Sequence, residues 1–142
     1  RAPNSLPAGE RELIAAYVSD LNECEFCCSS HSAFAAAQLN EGSTTVDQVR
    51  RDVDTAPVSA KLRALLHIAA AVRESGRKVT PDLVAAARAE GASDVEIHDT
   101  VLIAAAFCMF NRYVDGLGTL VPDDPKRYEE SARRIVDVGY GS

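Results

Sequence analysis

Apolar positions along this 142-residue chain recur at helical spacing, and no stretch shows the period-two alternation of a half-buried strand. The first stripe is Leu13, Ile14, Tyr17 and Val18, which predicts a helix from about Gly9 to Ser19, interrupted at Asp20 and Asn22. A second helix is expected from Cys24 through Phe34 and Ala35 to Leu39, with Gly42 closing it. A short third helix runs from Thr45 to Arg51, capped by Thr44 or Thr45. Pro57 and Ser59 open a longer one through Leu62, Leu65, Leu66, Ile68, Ala69 and Val72, ending at Gly76. Thr80-Pro81-Asp82 reads as a cap followed by proline at the first helical position, and that helix ends at Gly91. Ser93-Asp94-Val95-Glu96 is a capping box. It starts the most apolar helix, which runs to about Val114 before Gly116 and Gly118. Pro122 and Pro125 mark a turn before a last amphipathic helix, Tyr128 to Val136. The pattern predicts an all-α, single-domain bundle of six to seven helices over 1–142, with a core of about 10–118 and a C-terminal helix of about 126–137.

Composition narrows the function. The formal charge is −6, which argues against a nucleic-acid surface. No basic amphipathic stretch marks a membrane surface. The longest apolar run, Val101 to Phe110, is about half of what a bilayer crossing needs. Arg1 to Glu10 holds two prolines and no apolar core, so it does not read as a signal peptide, and the expected compartment is cytoplasmic. The chain does not begin with Met, which leaves residues before Arg1 open.

The chemistry concentrates in "CEFCCSSH". Cys24 and Cys27 are three apart, and Cys27 and His31 four apart, so a helix carries all three on one face. The first turn of a helix has unpaired N–H groups and partial positive charge, which favour thiolate. Two thiols at this spacing close a disulfide once one is oxidised to sulfenic acid. His31 has an imidazole suited to moving the thiol proton. Glu12, on the preceding helix, is in position to orient that imidazole if the two helices pack antiparallel. The proximity of His31 favours Cys27 as the attacking thiol; the helix end favours Cys24. Cys28, one residue on from Cys27, faces elsewhere and reads as a core thiol, as does Cys108 among Ala105, Phe107 and Phe110. His67 and His98 have no such partner and read as structural or surface residues. Asn111, Arg112 and Asp115 are expected to lock the long helix or an oligomer contact. Zinc is the competing use of Cys24, Cys27 and His31, with Cys28, His67 or His98 as fourth ligand, but no second C-x-x-C accompanies them.

Glu12, Cys24, Cys27 and His31 together form E-x11-C-x-x-C-x-x-x-H. This pattern resembles the alkylhydroperoxidase D family, within the carboxymuconolactone decarboxylase-like superfamily. "AAAFCMFNRYVDGLG" resembles a later helix of its peroxidase-related branch, so the likeness covers roughly Glu10 to Gly118. The resemblance implies an alkylhydroperoxidase D-like all-α fold, homo-oligomers, and hydroperoxide reduction through Cys24 and Cys27, with Glu12 and His31 as proton relay. It implies no tightly bound cofactor; electrons come from a dithiol donor, in the best-known members a lipoyl-bearing protein. Where founding members often have a second histidine between the cysteines, this chain has Phe26, and its Cys28 is atypical. Two other readings use the same fold: carboxymuconolactone decarboxylase-type lactone chemistry, which needs no C-x-x-C, and a non-enzymatic oligomer whose thiols only register oxidation. The abundance of alanine and the apolar Val101–Val114 stretch also point to an oligomer.

Overall fold

The computed structural model describes residues 5–40 and 42–140. Seven α-helices and one short 3-10 turn make up the described residues, without strands. They are α1 (Ala8–Leu21), α2 (Glu25–Ala36), α3 (Gly42–Arg51), α4 (Ala60–Glu74), α5 (Pro81–Ala89), α6 (Asp94–Gly116) and α7 (Pro125–Val138). No helix among the described residues is long and apolar enough to cross a membrane.

Three helix starts form as their sequences require. Ser59 Oγ accepts from Leu62 N–H (3.1 Å), and Thr80 Oγ1 from Leu83 N–H (3.3 Å). The capping box closes in both directions: Ser93 Oγ accepts from Glu96 N–H (3.1 Å), and Glu96 Oε2 from Ser93 N–H (2.8 Å). Lys61 Nζ adds a 2.7 Å ion pair to Glu96 Oε1 and ties α4 to the start of α6.

Other boundaries depart from the sequence reading. Helix α1 continues through Asp20 to Leu21, and α6 runs to Gly116. Helix α2 stops at Ala36, where Gln38 Nε2 donates to the Phe34 carbonyl (2.9 Å) and the chain turns. Gly42, at φ +32°, belongs to α3 rather than closing α2. Thr45 therefore lies inside α3, buried, with its hydroxyl turned back toward the Asn40 carbonyl (3.4 Å). Pro125 is in the first turn of α7, not in the preceding turn, because Asp124 caps the helix at Lys126 N–H (3.0 Å).

Leu13, Ile14 and Val18 of α1 pack with Leu65, Leu66 and Ile68 of α4 and Val46 and Val49 of α3 in one core. Helices α1 and α2 lie together because Gly9 leaves room for the turn after α2. A Cβ there would sit 2.9 Å from Leu39 Cδ2 and 3.0 Å from the Gln38 carbonyl oxygen. Helix α7 covers α2 through Phe34, Ala132 and Ile135.

Helix α6 leaves part of its apolar run exposed. The positions it buries are Glu96, Thr100, Ala104 and Asn111. Leu102, Met109, Phe110, Tyr113 and Leu117 are exposed. The buried stripe is small or polar because its polar members have partners: Thr100 Oγ1 donates to the Glu96 carbonyl (2.8 Å), and Asn111 Nδ2 to Ser19 Oγ (2.9 Å).

Candidate active site

Ser19 and the end of α1 set the position of the first thiol. The α1–α2 turn passes through Glu23 at φ 58°, and Cys24 N–H donates to the Ser19 carbonyl (3.0 Å). Cys24 is thereby the residue that precedes α2, in extended conformation and fully buried. Cys27 and His31 follow along one face of α2. Helix α1 lies alongside and aims Glu12 at them: Glu12 Oε2 is 2.7 Å from His31 Nδ1, with Glu12 itself buried. A carboxylate can only accept, so Nδ1 carries the proton and donates it, which leaves Nε2 as the basic nitrogen. The structure thus brings together Glu12, Cys27 and His31 around one cavity, with Cys24 behind.

That cavity is about 490 Å³ and is lined by Glu12, Cys27 and His31, with apolar walls from Phe26, Phe107, Phe110 and Val114. Its residues do not include Cys24. The His31 ring is held edge-on by Phe107 (centroids 4.5 Å) and Phe34 (5.2 Å). Tyr140, beyond the end of α7, stacks on it at 6.5 Å. The Tyr140 hydroxyl also donates to Glu12 Oε1 (2.5 Å), so both carboxylate oxygens are engaged.

Burial dominates the electrostatics of Cys24. Burial pushes the Cys24 thiol up to about 12; the Cys27 backbone N–H opposes this, and the Cys27 thiol and Asp115 carboxylate add to it. At this position before α2, burial works against the thiolate that a helix end would favour. Both cysteines are free thiols, and they lie within hydrogen-bond reach of each other.

Cys28 is buried, as expected, but not in an apolar core. It lines a separate polar cleft with Asp20, Cys24 and Arg50, and its Sγ donates to Asp20 Oδ1 (3.6 Å). Burial raises its pKa, opposed chiefly by the Arg50 guanidinium. Cys108 is partly buried against the core. His67 pairs with Asp54 (2.8 Å) and His98 with Asp99 (3.1 Å), both away from the thiols. Among the described residues no group of three or more His, Cys, Asp or Glu side chains is arranged to hold a metal ion. Asn111 bridges Ser19 and Asn22 and so locks α6 to the end of α1; Arg112 Nη1 instead donates to the Cys108 carbonyl of its own helix (2.7 Å).

Tyr140 and Arg11 line the cavity and were not foreseen. Tyr140 is 128 residues from Glu12, and no periodic pattern connects them. Arg11 had one readable sign, its place beside Glu12 on α1.

No family model matches this sequence, and no curated protein matches it. Solved structures do. One, from Ralstonia eutropha JMP134, is described as an alkylhydroperoxidase AhpD core and an uncharacterized peroxidase-related protein. It is 27% identical with a TM-score of 0.80, over 92% of this chain and 67% of that one. Another, an uncharacterized peroxidase-related protein from Silicibacter sp. TM1040, is 25% identical with a TM-score of 0.78, over 89% and 64%. This chain spans about two thirds of the length of each. Fold and comparison define an all-helical protein of alkylhydroperoxidase D-like architecture. At 25–27% identity, the chain is similar to these peroxidase-related proteins, one of them described as an alkylhydroperoxidase AhpD core.

Proposed function

We propose that this protein is a thiol-dependent peroxidase that reduces hydroperoxides with Cys27 as attacking and Cys24 as resolving thiol. The observation that carries the reading is the 2.7 Å contact between Glu12 Oε2 and His31 Nδ1, in a cavity reached by Cys27 and not by Cys24. His31 Nε2 takes the Cys27 proton. The thiolate attacks the terminal peroxide oxygen, the O–O bond breaks, and the alkoxide leaves as alcohol on taking that proton back. Cys27 is left as sulfenic acid. Cys24 attacks the Cys27 sulfur; its proton and the departing hydroxide form water, and the disulfide closes. A dithiol donor, a lipoyl group being one candidate, reduces the disulfide by exchange and is itself oxidised. The exposed apolar face of α6 supports homo-oligomer formation.

The test is steady-state consumption of cumene hydroperoxide with dithiothreitol. Cys27→Ser is expected to abolish turnover. Cys24→Ser, given peroxide without dithiothreitol, is expected to stop after one turnover, with sulfenic acid trapped by dimedone on Cys27. Equal rates for wild type and Cys27→Ser would refute the proposal.

A further inference from the structure

The cavity is far larger than the proposed chemistry requires. Hydrogen peroxide is not much bigger than water, whose share of liquid volume is about 30 Å³. About 490 Å³, walled by Ala15, Phe26, Ile103, Phe107, Phe110 and Val114, is the size and character of a site for an extended organic molecule. Each methylene buried there is worth about fourfold in affinity.

The polar groups of the cavity say more. Glu12 and His31 are paired with each other, and the Tyr140 hydroxyl is on Glu12. Arg11 remains. Arg11 lines the same cavity, its Nε is buried without a hydrogen-bond partner, and no carboxylate among the described residues forms an ion pair with it. A buried guanidinium N–H left unmatched is costly, and an apolar chamber offers it nothing. A carboxylate on the occupant would satisfy it with the planar, charge-assisted geometry that arginine favours.

We propose that the cavity selects hydroperoxides carried on an apolar body that also bears a carboxylate, as in a fatty-acid hydroperoxide. The peroxide lies at Cys27, the hydrocarbon against Phe26, Phe107 and Phe110, and the carboxylate on Arg11. The inference rests on the peroxidase reading for the reaction, but not for the binding of the anionic chain.

Two arms separate these. In the first, kcat/KM is measured for linoleic acid hydroperoxide and for its methyl ester, both below their micelle concentrations. Wild type is expected to prefer the acid by about tenfold or more, the worth of a charge-assisted hydrogen bond. In Arg11→Gln the ratio falls to about one, and Arg11→Lys recovers part of it. In the second, ricinoleic acid and methyl ricinoleate, which carry no peroxide, are bound at equilibrium to Cys27→Ser protein, with and without Arg11→Gln. Preference for the acid that Arg11→Gln abolishes supports the site even if no hydroperoxide is consumed, in which case the peroxidase reading alone fails. Equal binding of acid and ester, or an acid preference that survives Arg11→Gln, overturns the proposal. So does a change of subunit number in Arg11→Gln with the acid preference intact, which would assign Arg11 to a contact between copies.

Discussion

Replacing Asn111 by leucine tests the polar lock that holds the thiol turn. Asn111 is 1% exposed and Ser19 is fully buried. The Asn111 amide donates to Ser19 Oγ (2.9 Å) and its carbonyl accepts from Asn22 Nδ2 (2.9 Å). Leucine matches asparagine in side-chain heavy-atom number and branching, with bulkier methyl groups, so no cavity opens and the main cost is polar. Loss of the buried bond to Ser19 removes about 1 kcal/mol, and stranding the serine hydroxyl costs about 1–3 kcal/mol more. Asn22 is only half-buried and keeps Arg73 Nε on its own carbonyl (3.0 Å), so water meets its amide cheaply. Added apolar burial by leucine offsets part of the loss. A net destabilisation of about 2 kcal/mol is expected, read as a lower urea midpoint with unchanged slope. The decisive comparison is the cycle with Ser19→Ala. Removing both ends leaves nothing stranded, so the double variant is expected to be more stable than the sum of the singles by about 1–2 kcal/mol. Additivity within about 0.5 kcal/mol would refute the claim that these side chains form one buried unit.

Glu12→Gln keeps the shape of the relay but removes its charge; a fall in kcat/KM for cumene hydroperoxide of about 10–100-fold is expected, and a change under twofold would remove Glu12 from the relay. Gly9→Ala places a Cβ against Leu39 and the Gln38 carbonyl, and is expected to lose about 1 kcal/mol in urea unfolding despite alanine's better helix propensity. For the Lys61–Glu96 pair, the hydrogen bond with Lys61 holds the Glu96 carboxyl below its ordinary value, while that with Glu96 raises Lys61. The Glu96 share of stability is therefore fully present above the unfolded glutamate pKa and lost as pH falls through the folded one; the Lys61 share is lost only as pH rises through its raised value. Glu96→Gln is expected to be less stable than wild type by about 1 kcal/mol at neutral pH, with the gap closing in acid.

The pairing of Cys27 with His31 was legible because helical spacing is geometry, and four residues on α2 place them together; Cys24 instead sits one residue before the helix, outside the cavity. Glu12 was legible only through the spacing of the whole pattern, since an antiparallel neighbour had to bring it to His31. Capping signals at Ser59, Thr80 and Ser93 were local and held. Gly42 was misread because φ +32° also suits the residue that opens α3, and the tight turn after Ala36 depends on Gly9, far back on α1. The inward face of α6 was legible at Asn111, read as a lock for the long helix, but not at Thr100. Hydrophobicity marks what avoids water, but Thr100 and Asn111 can be buried once partners on the chain satisfy them. Tyr140 reaches Glu12 only through the docking of α7 on α2, and no local pattern encodes that.

The burial of the Cys24 thiol follows from one structural detail, the placing of Cys24 before the helix rather than within it. Its backbone N–H is fixed to Ser19, and its side chain turns into the protein, where burial and the nearby Asp115 carboxylate keep it protonated. Cys27, one turn on, opens to the cavity beside His31. In the proposed reaction a resolving thiol that stays protonated does not compete for peroxide. It also holds, in place, the proton that the hydroxide leaving Cys27 must acquire to become water. Under that proposal Cys24 gives up its proton as its sulfur attacks Cys27, and Cys24 also lines a polar cleft with Cys28 and Arg50, apart from the apolar chamber.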